Sequence, residues 1–359
     1  MEAFLYESHE SRVKFGRGLI REAGFELEKL GGKRALVITT AGRRELANSM
    51  AALLGERCAA MFTEAVQHVP VKTVDNAMKV VRQFDVDSFV PVGGGSSIGL
   101  AKALALKTGY PILAIPTTYA GSEMTPIWGI TENGQKKTGK SLLVRPKTVI
   151  YDPELTVTLP SRLTATSGIN AVAHCVEGLY AENANPVISL LAEEGIRVLC
   201  STLQALIESP KDVTLRTEAL YGTWLGSFVL GSVGMALHHK LCHVLGGSYN
   251  LQHAETHAVI LPYALWYNSA AIRPALEAIA RALNCEPDDV AGSLYDLTNA
   301  LGVPVSLKEI GMKKEQLDEA ADIAVKHPYY NPRPLEATSI RHLLEYAFYG
   351  ERPKRSKLL

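Results

Sequence analysis

Five of the chain's ten histidines, His238, His239, His243, His253 and His257, fall within one stretch, HHKLCHVLGGSYNLQHAETH. A lone histidine beside apolar residues is usually a satisfied core group, but five together point to chemistry. Imidazole titrates near neutrality and is a common metal ligand and proton carrier. Metal ligation, acid–base catalysis and anion binding are therefore all open to the cluster. His239 and His243 are four apart, which puts them on one helix face, a turn from each other. Gly246 and Gly247 are expected to break that helix, so that His253 can return to the same place. Upstream, Asn170 and His174 are also four apart, in a segment of helical pattern opening at Ser167. A carboxylate at 170 would complete a metal site with the histidines. Asn is neutral and a poor ligand for a divalent cation.

The elements that must position these residues divide into two kinds. Up to about residue 150, short β-branched runs alternate with helical patterns. Strands are expected at 34–40, 58–62, 88–92 and 112–115, with helices at 20–30, 46–54, 71–84 and 98–107. Residues 3–13 have the pattern of a hairpin. This alternation implies a parallel sheet with helices on both faces. Gly93-Gly94-Gly95-Ser96-Ser97 follows the third strand and precedes a helix, the layout that turns backbone N–H groups toward a phosphate. It is neither a P-loop nor a GxGxxG motif. A second polar loop, Pro116 to Glu123, ends the fourth strand. Ligands of such sheets bind at the carboxyl ends of the strands.

From about Ser161 long helical segments take over: 167–181, 187–207, 215–230, 235–245, 274–283, 290–301, 314–324 and 335–347. The expected organisation is an α/β nucleotide-binding domain over 1–158 and an all-helical catalytic domain over 159–359. The length, 359 residues, suits two domains. Equal numbers of basic and acidic residues, 37 each, argue against a nucleic-acid binder. The longest mostly apolar run, Leu225 to Leu237, is too short for a membrane span. No secretory signal is evident, and Leu359 spoils a peroxisomal tripeptide. Five scattered cysteines without CxxC spacing read as reduced thiols in a cytoplasm.

Several motifs together resemble the iron-containing (group III) alcohol dehydrogenase superfamily, and within it the maleylacetate reductase branch. They are Gly93-Gly94-Gly95-Ser96, Pro116-Thr117-Thr118 with Gly121-Ser122-Glu123, Asp152-Pro153-Glu154-Leu155, Ser167 to Glu177, and His239 to Pro262. The resemblance implies the dehydroquinate synthase-like fold: an N-terminal α/β dinucleotide domain, a helical C-terminal domain and an active site in the cleft between them. Metal-dependent members bind their ion with an Asp and three His, which match Asn170, His174, His239 and His253 here. The missing acid agrees with a branch that works without metal. Ser96-Ser97-Ile98-Gly99, Tyr119-Ala120-Gly121 and His253-Ala254 depart from the metal-dependent pattern in the same direction, and Tyr330-Asn331-Pro332-Arg333-Pro334 resembles the branch.

The resemblance implies reduction of the carbon–carbon double bond of 2-maleylacetate to 3-oxoadipate by NADH or NADPH, in the catabolism of aromatic compounds. His243 would act as acid or proton relay, because the matching histidine of metal-dependent members is a non-ligand close to the nicotinamide. His253, His239 and His174 would donate hydrogen bonds or positive charge to the dianionic substrate, with Asn170 adding no negative charge. Gly94, Gly95 and Ser96 would hold the pyrophosphate. Thr117, Thr118 and Ser122 would flank the nicotinamide half, and Thr39 and Thr40 the adenosine. No acid stands at that strand end to repel a 2′-phosphate, so NADPH is permitted beside NADH. Lys140 resembles a cofactor-contacting lysine of the superfamily. Arg333 is a candidate carboxylate clamp, and Tyr119 a contact to cofactor or substrate. The resemblance also suggests a homodimer. Three rival readings remain: a metal-dependent alcohol or polyol dehydrogenase, a sugar-phosphate cyclase of the same architecture, and a non-catalytic nucleotide-binding module.

Overall fold

The computed structural model describes residues 4–7, 10–132, 135–326 and 328–354. It divides into two compact units, one of residues 8–159 and the other from residue 160 onward together with the N-terminal residues.

The first unit is built on a six-stranded sheet in which every pairing is parallel. Its strands are β1 (Arg12–Phe15), β2 (Ala35–Ile38), β3 (Cys58–Phe62), β4 (Ser88–Gly93), β5 (Leu113–Pro116) and β8 (Thr148–Tyr151), in the order β1-β8-β5-β4-β2-β3. The four inner strands are buried along their whole length, as expected of parallel strands that read as continuous apolar runs. β6 (Ile127–Glu132) and β7 (Gln135–Lys140) form a separate antiparallel pair. The helices are α1 (Ala23–Lys29), α2 (Arg44–Leu54), α3 (Val71–Gln83) and α4 (Gly95–Thr108). β5, β4 and β2 are neighbours, so the loops after them lie side by side at the carboxyl edge.

Two expectations are corrected here. The hairpin over 3–13, of which residues 3, 8 and 9 lie outside the described residues, is replaced by β1 pairing in parallel with β8, 136 residues later in register (Arg12 with Thr148). A local pattern carries no trace of so distant a partner. The β6–β7 pair was also unforeseen, because its second strand, QKKTGK, is almost wholly exposed and polar.

The second unit is helical throughout its described residues: α5 (Ser161–Gly178), α6 (Pro186–Glu208), α7 (Val213–Ser232), α8 (Leu237–Tyr249), α9 (His253–Asn268), α10 (Arg273–Leu283), α11 (Val290–Ala300), α12 (Leu317–Lys326) and α13 (Ala337–Tyr349). α5 is its central element. Every residue from Thr164 to Gly178 is buried, and α6, α7 and α9 pack around it. α9 escaped the pattern reading because it is buried on all sides from Thr256 to Asn268 and carries Pro262 inside. It has no polar stripe to reveal a helical period. α8 runs straight through Gly246 and Gly247, and the break comes at Asn250, in left-handed backbone. A glycine costs a helix about 1 kcal/mol, which the packing of Leu237, Leu241, Val244 and Leu245 outweighs. No single described helix is long and apolar enough to cross a membrane. α7 and α8 pass that test only as a pair bent by 92°.

Candidate active site

The loop after β4 has the geometry expected of an anion cradle. Gly94 precedes α4, no side chain caps that helix, and no acid stands in its first turn. The N–H groups and the positive end of a 14-residue helix are thus left to a ligand. A side chain at Gly94 would strike Thr118, with a Cβ 2.9 Å from its Oγ1. Gly95 is exposed and a Cβ there would meet nothing within 4 Å. The close approach to Thr118 and the open space above Gly95 fit a bound pyrophosphate. Ser96 is half-buried beside them, and the N–H of Thr117 donates to Gly93 O at 3.2 Å, joining the two polar loops.

Lys102, on α4 and missed in the sequence, fixes the second loop. Its buried ammonium donates to Ser122 O at 2.5 Å, Thr125 O at 2.8 Å, Thr125 Oγ1 at 2.9 Å and Ile127 O at 2.9 Å. Burial pulls its pKa down to about 7, while Glu123 opposes the shift. The helix that presents the cradle is thereby tied to the loop bearing Thr117, Thr118 and Ser122.

Further first-unit residues singled out in the sequence are placed as follows. The Thr39 hydroxyl is fully buried and donates to Val92 O at 2.9 Å, so it joins β2 to β4, and only Thr40 is partly exposed. Tyr119 is completely enclosed. Lys140 ends β7 on an exposed position.

The second unit brings the histidines together. Asn170, His174 and Glu177 lie at i, i+4 and i+7 on α5, one face of a helix. Glu177, fully buried, was not singled out in the sequence, yet it organises the site. Its carboxylate accepts from Ala236 N at 2.9 Å, His238 N at 2.7 Å and His239 Nδ1 at 2.6 Å. It therefore satisfies the start of α8 and orients the ring of His239. The 2.6 Å separation is that of a charge-assisted bond. His239 stacks on His174 with centroids 5.2 Å apart, and lies 6.3 Å from His243 and 5.0 Å from His257. His253, the first residue of α9, is 6.5 Å from His243 and 4.3 Å from His257.

His243 is exposed, and its Nδ1 is 2.9 Å from Tyr329 Oη, a third residue missed in the sequence. Asn170 Oδ1, His174 Nδ1 and His239 Nε2 are buried without a hydrogen-bond partner. Burial first, then neighbouring imidazoles, hold His174 well below its usual pKa. The neutral form of its ring is thus favoured before substrate binds.

Arg333 does not join the histidines. Its Nη1 donates to Tyr267 O at 2.9 Å and its guanidinium lies 4.2 Å over the Tyr267 ring. Tyr267 is 14 residues beyond His253 on α9, roughly 21 Å along the axis at 1.5 Å per residue. The loop around Arg333 is held by Asn331, which exchanges amide hydrogen bonds with Asn268 at 2.7 and 2.9 Å.

Of the residues that match the superfamily's metal positions, Asn170 is a neutral amide in place of a carboxylate. Only one trio of His, Cys, Asp or Glu ligand atoms among the described residues lies within 4.8 Å of one another, and it is His238, Cys242 and His257. His174, His239 and His253 do not converge in that way, and Asn170 brings no charge.

A parallel-sheet unit with a glycine-opened helix, followed by a helical unit with a histidine cluster, defines a class. The iron-containing alcohol dehydrogenase family matches residues 10–153, and the C-terminal part of the same family matches residues 164–348. The chain belongs to this family and is an NAD(P)-dependent oxidoreductase. It is 52% identical to a maleylacetate reductase of Burkholderia cepacia over 353 residues, covering 98% of this chain and all of that one. The crystal structure of maleylacetate reductase from Rhizobium sp. strain MTP-10005 superposes with a TM-score of 0.94 at 46% identity, covering 98% of this chain and all of that one. A 1,3-propanediol oxidoreductase structure matches with a TM-score of 0.90 at 26% identity, covering 97% of this chain and all of that one.

Proposed function

We propose that the chain reduces the carbon–carbon double bond of 2-maleylacetate to give 3-oxoadipate, in aromatic-compound catabolism, with NADH or NADPH and without a metal ion. The observation that carries this reading is the neutral, buried amide of Asn170, one turn before His174 on α5. The buried carboxylate of the histidine cluster, Glu177, is already engaged by three N–H donors. Among the described residues, the cluster thus offers a dicarboxylate no unmatched negative charge from Glu177. The near-full-length kinship to maleylacetate reductases supports the same substrate.

The reduced nicotinamide supplies a hydride when bound, and Gly94, Gly95, Ser96, Thr117, Thr118 and Ser122 are the residues that would hold the cofactor. The substrate double bond is conjugated to a ketone, so addition at the carbon β to that ketone leaves an enolate. The protein must then stabilise the enolate oxygen and deliver a proton to the α carbon. His174 Nδ1 and His239 Nε2, when protonated, supply buried donors for the oxygen and the carboxylates, and the Asn170 amide adds no negative charge. His243, exposed and bonded to Tyr329, connects the site to solvent protons and acts as the acid. His253, 6.5 Å from His243 and 4.3 Å from His257, extends the donor set.

A cytoplasmic homodimer completes the reading. Five unpaired thiols suit a reducing compartment, and light scattering on the eluting protein gives the mass. The deciding experiment is NADH and NADPH oxidation on freshly prepared maleylacetate, with and without EDTA, alongside metal analysis. Rapid oxidation by metal-free protein is the expected result. Activity that dies with chelation, or that appears only with simple aldehydes or alcohols, returns the chain to the metal-dependent dehydrogenases.

A further inference from the structure

Two of the clustered histidines, His238 and His257, have no part in the reaction described above. Both are buried, as is Cys242. His238 and Cys242 lie one turn apart on α8, and His257 reaches them from α9. His238 Nε2 is 2.9 Å from His257 Nδ1, and Cys242 Sγ is 3.8 Å from the same Nε2. The three groups are gathered with only part of their hydrogen-bonding capacity met. The imidazole pair shares one proton, and each ring keeps a buried nitrogen with no partner, Nδ1 of His238 and Nε2 of His257. The thiol, at 3.8 Å, is a weak partner at best.

We propose that His238, Cys242 and His257 form a site for a soft tetrahedral cation, Zn²⁺, that pins α8 to α9. Zinc takes nitrogen at about 2.05 Å and thiolate sulfur at about 2.3 Å, so the edges of its tetrahedron are about 3.3 Å between nitrogens and about 3.5 Å from nitrogen to sulfur. The separations of 2.9 and 3.8 Å are each within about half an ångström of those edges, a difference that small side-chain rotations close. Three protein ligands leave the fourth position open. Binding exchanges the S–H bond of Cys242 for a sulfur–zinc bond and releases one proton. Burial holds the thiol well above its usual pKa, so uptake grows as pH rises. The His257 ring is 4.3 Å from that of His253 and 5.0 Å from that of His239. A dication there alters the field around the residues that handle the substrate, and Zn²⁺ acts as a reversible inhibitor. The site is distinct from the superfamily's ligand positions, Asn170, His174, His239 and His253.

The test uses the full chain, stripped with chelator and desalted, then given Zn²⁺ alone. Zinc is counted after gel filtration, for the wild type and for Cys242→Ser, a change outside the reaction machinery. The expected result is roughly one tightly held zinc per chain, with affinity lowered ~100-fold or more in the variant. Zn²⁺ inhibits the wild type, EDTA restores it, and the variant stays active in zinc. Co²⁺ bound to the wild type shows a thiolate charge-transfer band, which decides the question even if the variant fails to fold. Wild-type zinc affinity in Cys242→Ser, a cobalt spectrum without the thiolate band, or no zinc retained by the wild type each overturns the proposal.

Discussion

Glu177→Gln is the substitution that most directly separates orientation from packing in the histidine cluster. It keeps the shape of a side chain that is fully buried. Oε2 accepts from both Ala236 N and His239 Nδ1, and Oε1 accepts from His238 N. An amide has only one oxygen, so whichever way it turns, its NH₂ faces at least one N–H donor. Losing a bond to a charged acceptor costs about 1.5–3 kcal/mol, and a buried donor left unmatched a further 1–3 kcal/mol or so. A loss of about 3–5 kcal/mol corresponds to a fall in Tm of roughly 6–20 °C for a unit of this size. If His239 must be held in one orientation to meet the substrate, kcat should also fall, by about 10- to 150-fold for 1.5–3 kcal/mol. The assay is maleylacetate-dependent NADH oxidation well below the variant's transition, beside a thermal scan. A lower Tm with kcat within twofold of wild type would show that Glu177 only anchors α8. The orienting argument would then be wrong.

Three further outcomes follow from the same geometry. His174, His238 and His257 are all held well below the usual histidine pKa by burial, so the unfolded chain binds more protons than the native one below pH ~6.5 and stability falls on acidification. With three such groups the loss is at most about 4 kcal/mol between pH 7 and 5.5, and a Tm that stays flat over that range would contradict it. Gly95→Ala places a methyl in space free of heavy atoms to 4 Å, so Tm should hold or rise, while the KM for NADH increases ~10-fold because the group obstructs the phosphate cradle; an unchanged KM would move the cradle elsewhere. His243→Ala should cut turnover at least ~100-fold, on the scale of general acid catalysis, and Tyr329→Phe, which removes the partner at 2.9 Å, should lower kcat by a smaller factor with Tm unchanged; normal turnover in folded His243→Ala would pass the acid role to another residue.

The parts of this molecule legible in the sequence are those with a short-range physical signature. β2, β4 and β5 are continuous apolar runs, and the glycines after β4 mark a helix start. The i, i+4 pairs Asn170/His174 and His239/His243 announce shared faces. Glu177 gave no such sign, because an acid seven residues after Asn170 reads as ordinary helix polarity until α8 docks its first N–H groups on it. Tyr329 is 86 residues from the histidine it contacts. Arg333 was assigned by what guanidinium does well, but the structure gives that group to the face and carbonyl of Tyr267. Lys102 gave no sign within the expected helix 98–107, yet it ends among four oxygens.

The charge balance of the site has a consequence for how substrate binds. A divalent ion with one Asp and three His carries a net charge of about +1 in the metal-dependent arrangement. Here Asn170 is neutral, His174 is held neutral by burial, and the Glu177 carboxylate is matched by N–H donors. The positive charge that a dicarboxylate needs must come with the substrate, as protons. A carboxylate within about 4–6 Å of an imidazole favours its charged form, so binding draws the histidine pKa values upward and takes protons from solution. KM for maleylacetate should therefore fall as pH is lowered toward 6, in the direction opposite to stability, and the two trends confine activity to a window near neutrality. Isothermal titration with the product 3-oxoadipate in two buffers of different ionisation enthalpy measures the proton count directly. Net uptake fits a site whose electrophile is assembled from histidines on binding. No uptake, or proton release, would mean that the positive charge is already in place before the substrate arrives, and the metal-free account of Asn170 would fail with it.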